Sequence, residues 1–112
     1  LVEQIERIKA PTKHIVWGMV NDKNPESILN MLPKNAVYYL TQAQIPRALP
    51  ALEFTEYFKK LELKYTIYTS VSEAFVAAKS NASLSDFIFI GGSTFVVADY
   101  LTFLEANEQK QS

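Results

Sequence analysis

Residues 87–95 read FIFIGGSTF, an apolar run of strand length that breaks on two glycines and a pair of hydroxyls. The only other glycine of the chain, Gly18, falls within a second apolar run at residues 14–20. Glycine is therefore concentrated where buried strands end and helices begin. In open α/β sheets that edge is where ligands bind, and the unpaired N–H groups of a helix N-terminus attract anions. The pattern predicts a binding edge before it indicates what binds there.

Apolar runs of strand length alternate with helical patterns along the chain. Strands are predicted at residues 14–20, 36–40, 64–68 and 87–90. The third shows the alternation of a half-buried strand, and the fourth is apolar throughout, as in a strand covered on both faces. Cap signals at Asn24-Pro25 and Ser70-x-x-Glu73 open two of the helices. Helices are predicted at residues 1–9, 24–32, 51–61, 70–80 and from 93 or 94 to 104.

This alternation predicts a parallel sheet with right-handed crossovers and helices on both faces. We therefore expect one α/β domain over residues 1–112, a Rossmann-like three-layer α/β/α sandwich with a mostly parallel sheet. The loops after Met19, Leu40, Tyr68 and Ile90 should then emerge at the same edge. From Glu105 onward the chain is polar, and we expect that tail to fray.

The composition excludes several classes of protein. The net charge is −1, from 11 basic and 12 acidic residues, so no strong field favours nucleic acid or an anionic membrane as partner. No apolar run approaches the ~20 residues that cross a bilayer. The chain has no cysteine and one histidine, which excludes disulfides and thiolate or histidine-rich metal sites. We expect a cytoplasmic location, because the absence of cysteine fits a reducing compartment.

Charged side chains follow the first two predicted strands. Asp22 and Lys23 lie beside the cap of the next helix, where a lysine is placed to meet a carboxylate or phosphate. The alternative is a solvated turn. Arg47 lies between Pro46 and Pro50, where a stiff backbone would hold its guanidinium for a carboxylate or phosphate. An exposed structural arginine fits the sequence equally well.

The glycine-rich end of the fourth strand is the third candidate. Gly91, Gly92, Ser93 and Thr94 would bind an anion through backbone N–H groups and hydroxyls. The alternative is a tight turn in which Ser93 or Thr94 only caps the helix. His14 has no acidic neighbour in sequence and is interpreted as a strand-end histidine rather than a catalyst.

Several sharper motifs are absent from the sequence. It contains no G-x-x-x-x-G-K-[ST] phosphate loop, no G-x-G-x-x-G fingerprint and no G-x-S-x-G nucleophile elbow. The residues by themselves therefore indicate a ligand-binding α/β domain without a complete active site.

Four short strings occur in a characteristic order: WGMVNDKN at 17–24, YYLT at 38–41, PRAL at 46–49 and IGGSTFVVA at 90–98. Together they resemble the C-terminal domain of folylpolyglutamate synthase/dihydrofolate synthase, in the Mur ligase superfamily. The resemblance runs from the opening helix to about Leu104. The chain also opens at Leu1 with a helical pattern already under way, which favours a domain cut from a longer protein.

The resemblance implies an ATP-dependent ligase of three domains. In such an enzyme ATP phosphorylates a folate or dihydropteroate carboxylate, and the amine of L-glutamate attacks the acyl phosphate. ATP and Mg²⁺ would be bound mainly by an N-terminal and central ATPase part, so no cofactor, metal or catalytic residue is expected in this fragment. The fragment would contribute glutamate binding and domain closure, and alone it is expected to be inactive.

Carried over position by position, the resemblance implies a glutamate site formed by Asp22, Lys23, Thr41, Arg47, Gly92 and Ser93. Asp22 and Lys23 would face the incoming amino acid, and Arg47 would reach its neighbourhood. Ser93 would contact its side-chain carboxylate. Asn24 departs from the family, in which an acidic residue is common there, and this weakens any role for a second carboxylate.

Two other functions remain open at this point. One is a non-enzymatic regulatory module that binds a small molecule, which should show measurable ligand affinity by itself. The other is the C-terminal domain of a cell-wall Mur ligase, with the same fold and a different substrate. The shortness of the loops favours the folate branch.

Overall fold

A computed structural model describes residues 12–20, 31–45 and 48–111 of the chain. Its sheet has four parallel strands: β1 (Lys13–Trp17), β3 (Ala36–Leu40), β5 (Lys64–Ile67) and β6 (Phe87–Gly91). Their order across the sheet is β5-β3-β1-β6. Two short strands, β2 (Met19–Val20) and β4 (Ala48–Leu49), form a separate antiparallel pair.

The strands of the sheet start level with one another. Lys13 lies opposite Ala36 on one side and Phe87 on the other. All four strands therefore begin at one edge, called here the amino edge, and end at the opposite, carboxyl edge. The prediction that the loops emerge together is confirmed for those after Leu40, Tyr68 and Ile90, whereas the segment that follows Met19 and Val20 lies outside the described residues.

The described residues contain three helices, each after a strand: α1 (Ala51–Lys60), α2 (Val71–Asn81) and α3 (Thr94–Gln111). Helix α1 covers one face of the sheet, where Phe54 and Phe58 are fully buried against Tyr38 and its neighbours. Helix α2 packs on the other face, over β1 and β3, and α3 packs beside it on β6. The predicted three-layer sandwich with a parallel sheet is confirmed.

Successive side chains of the central strands point to opposite faces of the sheet, as in any β-strand. Ile15 and Tyr38 belong to the core under α1, whereas Val16 and Tyr39 belong to the core under α2. All four are at most 2% exposed. Because the central strands are covered on both sides, their sequence is nearly continuously apolar.

The predicted strand bounds differ from the structure in one important place. The run at 14–20 breaks at Gly18, because the chain leaves the sheet there and Met19 and Val20 pair with β4 instead. The strand at 36–40 is confirmed, β5 ends one residue earlier than predicted, and β6 ends one residue later.

The two edge strands of the described sheet are more exposed than their sequences predict. Residues 87–90 are half-buried rather than covered on both faces, and only Tyr65 among residues 64–67 is half-buried. An edge strand has a neighbour on one side only, so an apolar sequence does not guarantee burial there.

The C-terminal tail does not fray from Glu105 as predicted, because α3 continues to Gln111. Residues 105–111 contain neither glycine nor proline and are mostly Glu, Gln, Ala and Lys, which are good helix formers. The predicted helix at 1–9 lies outside the described residues, as does most of the one at 24–32.

Candidate functional site

Three of the six predicted site residues lie in the described structure, and all three are at the carboxyl edge. Thr41 directly follows β3, and Gly92 and Ser93 join β6 to α3. Asp22, Lys23 and Arg47 lie outside the described residues, so their place at this edge stays a prediction. The described residues on either side of 46–47 are Ile45 and Ala48, and Ala48 donates its backbone N–H to the carbonyl of Ile45 (3.1 Å).

Direct backbone contact joins the ends of β1 and β6. Gly92 has φ of +96°, and a Cβ atom added to it would lie 2.0 Å from the carbonyl oxygen of Gly18. A Cβ on Gly18 would in turn lie 2.8 Å from both the carbonyl oxygen of Thr41 and a methyl of Val96. Only glycine fits at either position without displacing backbone. The glycines noted in the sequence therefore allow three strand ends and α3 to meet.

Two buried polar atoms at this edge lack a hydrogen-bond partner among the described residues. They are Oγ1 of Thr41, a residue with no exposed surface, and Nε1 of Trp17, which is 5% exposed. Burial of an unpaired polar atom costs roughly 1–3 kcal/mol. Because Thr41 is covered, its hydroxyl meets a ligand only if the carboxyl edge opens.

Ser93 is the N-cap of α3. Its Oγ accepts the backbone N–H of Val96 at 3.2 Å, which is the capping role that the sequence left open as an alternative. Capping uses an acceptor lone pair, so the hydroxyl hydrogen can still be donated to a ligand. Gly92 and Ser93 are partly exposed, and the positive end of the helix dipole lies beside them.

The loop after β3 is held by two glutamines that the sequence analysis did not single out. The backbone N–H of Gln44 donates to Asp99 of α3 (3.0 Å), and its side chain donates to the carbonyl of Thr69 before α2 (3.3 Å). The side-chain oxygen of Gln42 accepts the N–H of Ala51, the first residue of α1 (2.8 Å). This loop is thereby hydrogen-bonded to α3, to the first residue of α1 and to Thr69, which lies just before α2.

These contacts were missed because the partners of Gln44 lie 55 and 25 residues away in sequence. The signal available was weak: two glutamines flank an alanine in a loop. Ala43 is buried in a cluster with Val71 and Val96, whereas the side chains of Gln42 and Gln44 form the hydrogen bonds described above.

A groove of about 380 Å³ opens beside this loop. Its volume is within the range of small-molecule sites. Its lining comes from the loop itself and from the start of α1: Gln42, Ala43, Gln44, Ile45, Ala48 and Pro50. The groove adjoins the segment that carries Arg47.

The described part of the chain contains no group of three histidine, cysteine or acidic side chains that could hold a metal ion. None of its helices is both long and apolar enough to cross a membrane.

No family model matches the sequence, and neither does any curated protein. Solved structures do match. A bifunctional folylpolyglutamate synthase/dihydrofolate synthase from Yersinia pestis CO92 is 22% identical with a TM-score of 0.78, over 93% of this chain and 24% of that one. E. coli FolC in complex with DHPP and ADP is 21% identical with a TM-score of 0.76, over 95% and 25%.

A third structure is a bifunctional folylpolyglutamate synthase/dihydrofolate synthase with Mn, AMPPNP and L-glutamate bound. It is 22% identical with a TM-score of 0.75, and the match covers 92% of this chain and 24% of that one. The likeness is one of fold. The resemblance to this enzyme inferred from sequence is confirmed at that level, and the chain spans about a quarter of the length of the structures it matches.

Proposed function

We propose that this chain is the glutamate-binding and closing domain of an ATP-dependent ligase that adds L-glutamate to a folate or dihydropteroate carboxylate. The observation that carries the proposal is the convergence of three strand ends and a helix N-terminus at the carboxyl edge, in a fold shared with the synthase structures. Glutamate carries two carboxylates, and such an edge offers N–H and O–H donors to them.

The reaction balances in two steps. The terminal phosphoryl group of ATP is transferred to the substrate carboxylate, which gives an acyl phosphate and ADP. The amine of L-glutamate then attacks the acyl carbon, an amide bond forms, the amine loses a proton and inorganic phosphate leaves. ATP and Mg²⁺ would be held by the remainder of a longer protein, since this sequence has no phosphate loop. ATP is available in the cytoplasm, which is the location expected from the sequence.

The proposed role of this chain is to orient glutamate, without supplying a nucleophile. The hydroxyl and N–H groups around Ser93 and Gly92 would hold one carboxylate, and Lys23 and Arg47 would supply positive charge. Gln44 would act indirectly, because it fixes the loop from which Arg47 extends. Holding the amine in line with the acyl carbon lowers the entropic cost of attack.

Closure of the domain over the acyl phosphate would protect that intermediate from water. The carboxyl edge suits this role because its loops are fixed to helices by hydrogen bonds, so the edge would move as one body.

The groove beside Gln44 supports a second candidate, a regulatory module that binds a small molecule without catalysis. The two differ in a measurable way. The regulatory module binds its ligand as the 112-residue chain alone, whereas the ligase domain binds glutamate weakly by itself and catalyses no glutamate addition.

The test is a kinetic comparison in the longer ligase. Lys23→Ala and Arg47→Ala should each raise the KM for L-glutamate about tenfold or more, the loss of about 1.4 kcal/mol expected for a charged contact. Lys64→Ala is the matched control, since this exposed lysine lies at the amino edge. An unchanged KM for glutamate in both site variants would show that these residues are not part of the site. Glutamate addition by the 112-residue chain alone would contradict the proposal that the ATP-binding part of a longer protein is required.

A further inference from the structure

A chain of hydrogen-bonded polar side chains, most of them buried, lies at the amino edge, away from the candidate site. His14 is 3% exposed. Its Nε2 lies 2.9 Å from Oδ2 of Asp86, and its Nδ1 lies 2.8 Å from the hydroxyl of Tyr39. The side-chain amide of Asn81, at the end of α2, donates to the same hydroxyl at 3.3 Å. The acidic partner that His14 lacks in sequence is therefore supplied by the fold.

One placement of the hydrogens gives every hydrogen bond of this group a donor and an acceptor. The pKa of Asp86 is held below its usual value, first by the backbone N–H of Ser83 and then by His14, so the carboxylate is charged and only accepts. Burial raises the pKa of Tyr39, so its phenol is protonated. With its ring protonated only at Nε2, His14 would donate to Asp86 and accept at Nδ1 from Tyr39. Each of the bonds has one donor and one acceptor.

The three central members lie in, or directly before, three of the four strands that lead to the carboxyl edge. His14 is in β1 and Tyr39 is in β3, while Asp86 immediately precedes β6. Those strands end at Gly18, Thr41 and Gly92, which meet in the candidate site. At the amino edge the backbone N–H of Phe87 also donates to the carbonyl of Thr12 (3.1 Å).

We propose that Asp86, His14 and Tyr39 form a polar latch that fixes the relative register of β1, β3 and β6 and holds the loop at 82–86 closed against the sheet. Backbone bonds between parallel strands are the same for any register, whereas a slip of one residue would turn His14 or Tyr39 to the opposite face. The latch therefore distinguishes the native register from its neighbours. It is independent of the proposed ligase function.

The latch is sensitive to acid. Protonation of Asp86 removes the charge that His14 Nε2 faces. Because the pKa of Asp86 is lower in the folded chain, its contribution is complete above the ordinary value of about 4 and is lost as the pH falls through the folded-state value. Among the described residues, the ionisable groups that face His14 are Asp86 and Tyr39, with Tyr68 stacked behind Tyr39 (ring centroids 6.0 Å apart) and Lys13 next to His14 in β1.

The first measurement needs no variant. Nitrogen NMR of the histidine ring in the 112-residue chain at pH 7 to 8 should show neutral His14 protonated at Nε2, because only that tautomer serves both partners. The opposite tautomer, or a ring that averages between the two, would overturn the proposed direction of the bonds.

The second measurement is amide hydrogen exchange in Asp86→Asn, with Glu53→Gln on the exposed side of α1 as the matched control. We expect exchange at residues 84–90 to become about tenfold faster or more at pH 7 in Asp86→Asn alone. The difference should shrink as the pH is lowered below about 4. Equal protection in the two variants, or a difference that persists unchanged at pH 2, would overturn the latch. If Asp86→Asn does not fold, the tautomer measurement still decides.

Discussion

At the amino edge of the sheet, His14, Tyr39 and Asp86 find hydrogen-bond partners in one another. At the carboxyl edge, Thr41 Oγ1 and Trp17 Nε1 lie buried without a partner among the described residues. β1 and β3, with the residues next to them, contribute to both groups. At the amino edge, side-chain hydrogen bonds connect the strands. At the carboxyl edge, buried polar atoms lack partners, and the backbones approach so closely that only glycine fits at Gly18 and Gly92.

This division suits a parallel sheet, in which ligands bind beyond the carboxyl ends of the strands. Satisfied polar groups at the amino edge contribute stability. Unpaired polar groups and glycine contacts at the carboxyl edge cost stability, and strain of that kind is usual where a site is built. The predictions below test this contrast, beginning with the largest expected effect.

Gly92→Ala should destabilise the chain by about 4 kcal/mol, because the added Cβ would strike the carbonyl oxygen of Gly18 and a positive φ strains any other residue. Urea unfolding measures the change. Gly91→Ala is the control: its Cβ would meet the ring of Phe89, a side chain that can move, and should cost only about 1 kcal/mol. Equal losses of unfolding free energy in the two variants would show that the close contact between Gly92 and Gly18 does not require glycine.

Tyr39→Phe should lower the free energy of unfolding by about 1–2 kcal/mol, because His14 Nδ1 is then buried without a partner. Tyr57→Phe, on half-buried Tyr57 of α1, is the control and should stay within about 0.5 kcal/mol of the parent. If Tyr39→Phe leaves the free energy of unfolding unchanged, the polar group at the amino edge contributes no stability. That result would contradict the contrast between the two edges.

Thr41→Val should be neutral or should stabilise the chain by up to about 1 kcal/mol, because it replaces an unpaired buried hydroxyl by a methyl of similar shape. Thr55→Val makes the same chemical change where the hydroxyl donates to the carbonyl of Leu52 (3.0 Å), and it should cost about 1 kcal/mol. If Thr41→Val is the more damaging of the two, Thr41 has a partner that the contrast does not include.

The sheet was predictable from the sequence because its signal is local. The runs at 36–40 and 87–90 have the length, composition and flanking turns of strands, and their alternation with helices determines the topology. The break at Gly18 was not predictable, since the residues on both sides are apolar and only pairing with β4 ends the strand.

The side-chain contacts were far less predictable. The capping bond from Glu73 N–H to Ser70 was predicted, because its partners lie three residues apart. The partner of His14 lies 72 residues away and those of Gln44 lie 55 and 25 away, so no sequence pattern links them. For the candidate site, the sequence indicated the glycines that lie together at the carboxyl edge, but whether Ser93 caps, binds or does both depends on its geometry.

The most direct test separates capping from binding, because Ser93 and Ser70 cap α3 and α2 in the same way. In the longer ligase, Ser93→Ala and Ser70→Ala should each reduce stability by about 1 kcal/mol, the usual cost of a lost cap. We predict that only Ser93→Ala also raises the KM for L-glutamate, by about tenfold. Equal glutamate KM in the two variants would contradict the claim that the carboxyl edge at α3 binds glutamate.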